Sequence, residues 1–469
     1  MTRSEGIRRQ AWLWSGAFAA AAAMTVASVP VHAADLGGDC CADLEERIAE
    51  LEATTARKGN RKVSLEVYGQ INQEIIFWDD GVEDNAYVVT NDNSRSRFGF
   101  KGKAKVTSDW EVGYRLEVGI RTANSKRFTQ DNPLGDDNRT DVGLDLRDSY
   151  WYVKGKKYGT FSLGHQASAT DGITETNLTQ TKDFSKYSDV EDTGLGLFLR
   201  SKVNGGLSAR SYRNLLGDSG DQPGDGDRRQ NAIKYETPEF AGFTASASWG
   251  EDDYWDLALR YAGEFRGFKL AAGIGYLQTT DGPQTKMECP SRGGGIVTHD
   301  EHCKQVGGSI SVIHEATGIF VNFGAGMKKD DILNETAVFL GEDPDNKDTF
   351  WAIQAGIERK FNTLGKTTIF GEYYDYNGSS INRTFAAGDA VNPFAPTNSA
   401  AVWETGLNVY GFGIAQGIDN AAMVLYLNYR HVEADLILRE INGGVADGPV
   451  ANAPLESLDL VQAGAIIKF

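Results

Sequence analysis

The last ten residues, 460–469 (LVQAGAIIKF), put Val461, Ala463, Ala465, Ile467 and Phe469 at every second position, with Gln462, Gly464, Ile466 and Lys468 between them. Side chains of a strand point alternately to opposite faces, so this segment is an amphipathic strand that keeps its pattern to its final aromatic residue. Terminal segments usually fray. A terminal strand with an intact pattern is expected to be paired along both edges, and a sheet gives every strand two partners only when it closes on itself.

The same period of two governs the chain from residue 63. Val63, Leu65, Val67, Ile71, Ile75 and Phe77 alternate with polar residues; Phe98, Phe100, Ala104 and Val106 alternate with Arg97, Lys101, Lys103 and Lys105. Trp110, Val112, Tyr114, Leu116, Val118 and Ile120 then face away from Glu111, Arg115, Glu117 and Arg121. A sandwich in water would turn the apolar face inward and a barrel in lipid would turn it outward, so periodicity alone leaves both open. The connections decide. Short links at 107–109, 154–157, 238–242, 263–266, 315–318, 362–366 and 417–420 separate long polar stretches around 79–93, 124–141, 167–228, 278–305, 328–349, 376–402 and 433–457. A link at 251–253 is short where the pattern calls for a long one. Short turns on one rim and long loops on the other are the layout of a transmembrane antiparallel β-barrel. The expected fold class is therefore all-β, with about sixteen strands, or eighteen if residues 194–213 form one more wall hairpin. Sixteen strands leave an aqueous lumen that side chains do not fill.

Composition agrees. The 469 residues include 54 Gly, 18 Tyr, 22 Phe and 9 Trp but only 11 Pro, a mixture suited to short strands, tight turns and aromatic girdles. Mean hydropathy is −0.38, which a barrel tolerates because only one face of each strand meets lipid. At the N-terminus Arg3, Arg8 and Arg9 precede an apolar run at 11–26, and small residues close it at Ala33, the pattern of a secretory signal peptide over 1–33. Its removal takes away three basic residues and one acid, moving the formal charge from −18 to −20. That acidity speaks against nucleic acid as a partner. Lipopolysaccharide is expected as a partner only with divalent cations between. No later stretch approaches the roughly 20 apolar residues of a membrane helix.

Residues 34–62 read as a periplasmic segment, because Leu44, Ile48 and Leu51 recur at heptad spacing among charges over 43–58. Three copies could form a short coiled coil beneath a trimer, or hold the barrel near peptidoglycan; a solvated spacer is the competing reading. Of the four cysteines, Cys289 and Cys303 flank a Gly-rich loop and are the disulfide candidate in an exported chain. Zinc ligation by His299, His302 and Cys303 matches no common spacing, so no metal or cofactor is expected. Cys40 and Cys41 are adjacent and poorly placed to pair with each other.

Several strings carry a resemblance. Val67-Tyr68-Gly69, Ser96-Arg97-Phe98-Gly99-Phe100-Lys101-Gly102 and Tyr158-Gly159-Thr160-Phe161-Ser162-Leu163-Gly164-His165-Gln166 resemble trimeric general-diffusion porins. The helix before the barrel, Gly242-Phe243 and Trp249-Gly250-Glu251-Asp252-Asp253 are similar to the alphaproteobacterial, rhizobial type. The resemblance covers the chain from 34 to 469 and implies a passive diffusion channel for small hydrophilic solutes and ions across the outer membrane, assembled as a homotrimer. It implies an inward-folded third loop at 167–228 whose acids, Asp171, Glu175, Asp183, Asp189, Glu191 and Asp192, face wall bases Arg97, Lys101, Lys103, Arg115, Arg121 and Arg147. It also implies that Phe469 is the terminal aromatic read by the assembly machinery. Two positions depart from the family pattern, Gln70 in place of a lysine and His165 in place of an arginine. With the acidic loop, they lead to an expectation of weak cation preference.

Other readings compete. A solute-selective, sugar-type porin would use lumen aromatics such as Tyr68, and an outer-membrane anchor or adhesin would use the acidic loops. An enzyme needs a nucleophile with a positioned base. The sequence contains neither G-x-S-x-G nor H-E-x-x-H, and catalysis is not expected.

Overall fold

The structure is a computed structural model that describes residues 62–135, 143–216, 222–226, 229–250, 254–280, 302–331, 346–379 and 384–469. The signal peptide, the helix expected at 43–58, Cys40, Cys41, Cys289 and His299 lie outside the described residues.

Twenty-one strands are found among the described residues. They are β1 (Glu66–Asp79), β2 (Asp84–Thr90), β3 (Arg97–Lys105), β4 (Trp110–Arg121), β5 (Gly143–Gly155), β6 (Gly159–Ala167) and β7 (Phe198–Arg200). Next come β8 (Leu207–Ser211), β9 (Arg229–Glu236), β10 (Phe243–Gly250), β11 (Trp255–Phe265), β12 (Phe268–Thr280), β13 (His302–His314) and β14 (Ile319–Asp330). The rest are β15 (Lys347–Arg359), β16 (Thr367–Gly378), β17 (Thr384–Phe385), β18 (Ala400–Ile418), β19 (Met423–Glu440), β20 (Val450–Asn452) and β21 (Leu458–Lys468).

Sixteen of these pair antiparallel in a ring. From β3 each wall strand pairs with the next through β4, β5 and β6, then β9 to β16, then β18, β19 and β21. The ring closes where β21 pairs with β1 and β1 with β3. At the seam Gln70 sits opposite Lys468, and Gly69 and Phe469 exchange backbone hydrogen bonds of 2.9 and 3.0 Å. The segment 194–213 does form a hairpin, β7 with β8, but those strands pair only with each other. The wall therefore has sixteen strands, and the hairpin belongs to the loop between β6 and β9.

The apolar faces point outward. On β1, Val67, Ile71, Ile75 and Phe77 are exposed while Gln70, Asn72 and Glu74 are buried toward the lumen. Leu257, Leu259, Phe323, Ile369, Phe412 and Leu427 continue the outer band around the wall. Aromatic side chains gather near the short turns, with Trp110 stacked on Tyr158 at 5.5 Å and Phe240, Phe265 and Phe268 exposed beside them. The turn between β11 and β12 needs only Arg266 and Gly267, both at positive φ (50° and 83°), the left-handed pair that matches strand twist.

The first connection differs from the long loop that its polar residues suggest. Residues 80–83 form a tight turn, and β2 then returns along β1, with Gln73 opposite Thr90. Pairing resumes only when Arg97 meets Gln70. Residues 91–96, too many to lie opposite two residues of β1, swing into the lumen, where a short 3₁₀ turn (Asp92–Ser94) is buried. Its polar groups are satisfied there: the Asp92 amide donates to Ser125 Oγ at 2.8 Å, and Asn93 Nδ2 donates to Thr193 Oγ1 at 3.0 Å.

Candidate functional site

The loop between β6 and β9 leaves the wall at Ala167, runs inside the barrel and returns at Arg229. Its first half is anchored step by step along the lumen wall. Arg260 donates to the carbonyls of Ala169 and Asp171 at 2.7 and 2.8 Å, and the Thr176 and Leu178 amides donate to the hydroxyls of Ser309 and Ser311 at 3.0 Å. Thr181 donates to Gln354 at 2.7 Å. Asn72 Nδ2 donates to the Asp183 carbonyl at 3.0 Å. The Phe184 ring stacks on Tyr426 at 4.7 Å, inside a small apolar cluster with Phe320 and Phe370.

A buried ion pair locks the next turn. Arg430 Nε donates to Glu372 at 2.7 Å, while Nη2 reaches Ser185 Oγ at 3.0 Å and the Lys186 carbonyl at 2.8 Å. The second half of the loop is apolar. Val190, Leu195, Leu197, Leu199, Tyr212 and Leu215 join Ile76, Trp78, Phe350, Tyr376, Leu407 and Leu460 of the wall in one buried cluster. The loop thus has its own hydrophobic core inside the barrel and leaves part of the lumen open.

Beside the loop lies a polar cavity of about 320 Å³ lined by Asn93, Ser94, Arg97, Arg147, Asp171, Gly172, Glu175, Lys182, Asp183, Lys186 and Arg229. Arg147 arrives there through an irregularity in β5. Glu117 lies opposite Asp148 and Val118 opposite Leu146, so Arg147 is the extra residue of a β-bulge. Arg147 and Asp148, neighbours in sequence, both join the same lumen ion-pair cluster. Arg147 Nε donates to Glu117 Oε1 at 2.8 Å, Arg115 pairs with Glu117 at 2.6 Å and Asp148 at 2.9 Å, and Arg229 pairs with Asp148 at 3.3 Å. Arg97 stands 3.7 Å from Glu117. Tyr68 OH donates to Glu117 at 3.0 Å, and a Cβ on Gly99 would fall 2.7 Å from the tip of the Tyr68 ring, so the glycine gives that ring its place on the wall.

Of the six acids expected on the loop, Asp171, Glu175 and Asp183 line the cavity. Glu175 pairs with Lys186 at 2.7 Å and Asp183 with Lys468 at 2.7 Å. Asp189, Glu191 and Asp192 are buried beneath the loop, where Lys186 pairs with Asp189 at 2.7 Å and Lys126 with Glu191 and Asp192 at 3.2 and 2.9 Å. Burial pushes the Asp192 carboxyl up to about 7, reinforced by the charge of Asp189 and opposed by Lys126. Burial also tends to raise Asp189, but Lys186 wins there and holds it well below the usual carboxylate range.

Of the expected bases, Arg97 and Arg147 line the cavity and Arg115 belongs to the cluster behind it. Lys101 and Lys103 lie further along β3, toward the short-turn rim, in exposed pairs with Glu66 (2.8 Å) and Glu111 (4.0 Å). Arg121 is the last residue of β4, opposite Gly143. Arg229, Lys182, Lys186, Asn93 and Ser94 are cavity residues absent from the sequence reading. A signal for the bulge was present: outward apolar residues fall on even numbers at Leu144 and Leu146 and on odd numbers at Trp151 and Val153, a phase change centred on Arg147. Cys303 is buried at the start of β13 and is disulfide-bonded.

Among curated proteins no relative matches the chain. Solved structures similar to it include an anion-selective porin from Comamonas acidovorans (15% identity, TM-score 0.49, covering 87% of this chain and 100% of that one). OmpT of Vibrio cholerae, also solved in a trimer form, matches at 14% identity and TM-score 0.48 over 87% of this chain and 99% of that one. OmpF of Salmonella typhi, in complex with daunomycin, matches at 11% identity and TM-score 0.47, over 88% and 99%. A family model for Gram-negative porins matches residues 19–435. With that span covering most of its length, the chain belongs to the Gram-negative porin family and is a passive diffusion channel of the outer membrane.

Proposed function

We propose that the inward loop makes the narrowest passage of this channel and that selectivity is set there by acids on the loop opposite bases on the wall. The observation that carries this is the lining of the 320 Å³ cavity, with Asp171, Glu175 and Asp183 on one side and Arg97, Arg147 and Arg229 on the other. Opposed charges across a narrow, water-poor gap orient polar solutes and disfavour apolar ones. Planar-bilayer recordings test the reading: Asp171→Asn and Arg147→Gln, measured as separate variants, should shift ion selectivity in opposite directions while conductance stays of the same order, and unchanged selectivity in both would refute it.

The remaining assignments rest on the sequence. Residues 1–33 act as a signal peptide, 34–62 as a periplasmic segment, and Cys289 as the partner of Cys303. The quoted strings support a reading as an alphaproteobacterial, rhizobial-type porin. Homotrimeric assembly is supported by the resemblance and should give a heat-labile trimer on unboiled gels. Contacts with lipopolysaccharide through divalent cations, and with peptidoglycan, belong to the same reading, as does the absence of catalysis.

A further inference from the structure

We infer that the cavity is a transient binding station for small organic dianions of the dicarboxylate type, and that the channel prefers anions although the chain as a whole carries −18. The inference rests on the channel reading above and specifies its solute. What matters for selectivity is the charge left uncompensated at the narrow point, where the local field is felt, and not the sum over surface loops, which salt screens within about 10 Å.

On the wall, Arg97, Arg115 and Arg147 all draw on the single carboxylate of Glu117, and Asp148 is divided between Arg115 and Arg229. Arg147 uses only Nε for Glu117, so its two terminal nitrogens have no partner among the described residues. Arg97 makes only long contacts: Nη2 to Gln70 Oε1 at 3.4 Å and to Ser94 Oγ at 3.5 Å, and Nε to Glu117 at 3.7 Å. Its Nη1 is free among the described residues. Both residues line the cavity.

On the loop the balance runs the same way. Asp183 is held by Lys468, while Lys186 is shared between Glu175 and Asp189. Burial raises the Glu175 carboxyl well above the usual carboxylate range, so it adds little negative charge to the cavity. Lys182 is exposed on the cavity wall without a partner among the described residues, which leaves Asp171 as the opposing uncompensated acid. The free charges facing the cavity are then Arg97, Arg147 and Lys182 against Asp171. Two guanidinium forks on one wall match planar carboxylates, which they can hold by paired N–H···O bonds, and the lysine opposite can meet a second acid group. A cavity of about 320 Å³ admits such a solute with room for water.

Reconstitution of the full-length protein into planar bilayers tests this. Under a KCl gradient the reversal potential should report chloride permeability at least about threefold above potassium. Millimolar succinate should depress the chloride current, and succinamide, its uncharged counterpart, should not. In the R97Q/R147Q double variant the chloride preference should fall toward unity and the succinate effect should vanish. The R147K variant keeps the charge but loses the fork, so it should retain chloride preference and lose most of the succinate effect. Heat-modifiable mobility on gels shows that each variant has folded. Cation preference in the wild type, or a succinate effect that survives in the folded double variant, would overturn the inference while leaving the channel intact. Absence of conductance in the folded wild type would overturn the channel reading itself.

Discussion

Arg147 reaches Glu117 across 2.8 Å from the extra residue of a bulge, so a one-residue irregularity in β5 places two consecutive charges, Arg147 and Asp148, in the lumen cluster. Glu117 is the hub: it accepts from Tyr68, Arg115 and Arg147 and is itself buried. Glu117→Gln should cost about 1–3 kcal/mol of barrel stability, because guanidinium groups lose the carboxylate that compensates them. It should also move the reversal potential further toward anions. Unfolding temperature and bilayer selectivity measured on the same variant check both parts.

Arg430→Met should leave Glu372 buried beside Ser185 and Gln354 without its cation, at about 3–5 kcal/mol. The loop turn at Ser185 and Lys186 loses two anchoring hydrogen bonds at the same time. A lower unfolding temperature and a noisier open-channel current are expected. Adding Glu372→Gln should recover part of the stability, because the stranded charge disappears.

Asp192 makes the loop sensitive to pH. Its carboxyl is raised from 3.8 to about 7, so the folded state holds the proton more tightly than the unfolded chain does. The stabilisation from this proton is fully present below 3.8, falls between 3.8 and about 7, and is absent above. Lys126, Lys186, Asp189, Glu191 and Asp92 surround it; ionisation strengthens the pair with Lys126 but adds repulsion from Asp189 and Asp92. The unfolding temperature should therefore be lower at pH 8 than at pH 5, and Asp192→Asn should shrink the difference. An unchanged difference in Asp192→Asn would contradict the assignment.

A Cβ on Gly69 would stand 2.5 Å from the Phe469 ring and 2.8 Å from the Arg97 carbonyl. Gly69→Leu should push the ring from its seat at the seam, and deletion of Phe469 should remove the hydrogen bonds it exchanges with Gly69. Both changes should lower the amount of protein in the outer membrane, measured by surface labelling, with little effect on the conductance of refolded barrels.

The wall was legible because its information is local. A strand with one face in lipid and one in water writes its period directly into the sequence, as Trp110 to Ile120 do, and the contrast of turn and loop lengths supplies the side of the membrane. The interior was less legible because it depends on what the loop meets. Asp171 and Asp189 are the same residue type on the same loop, yet one lines the cavity and the other lies beneath Lys186. Nothing near them in sequence separates the two. The excursion of Asp92–Ser94 was hidden for the same reason, since its acid and amides are satisfied by Ser125, Asn124 and Thr193, which come from distant segments.

The seam carries a kinetic consequence. Gln70 and Lys468, opposite each other in the finished wall, are nearly 400 residues apart in the chain. Pairing at that separation comes late, because a long loop must be closed before the contact returns any free energy, and high contact order slows folding. Until then β1 and β21 are two unpaired edges, each with an apolar face and few charges to discourage pairing with another chain. Closure is therefore the step at which the nascent chain is most exposed to aggregation, and the time spent open, more than the strength of the closed wall, sets how much channel is made.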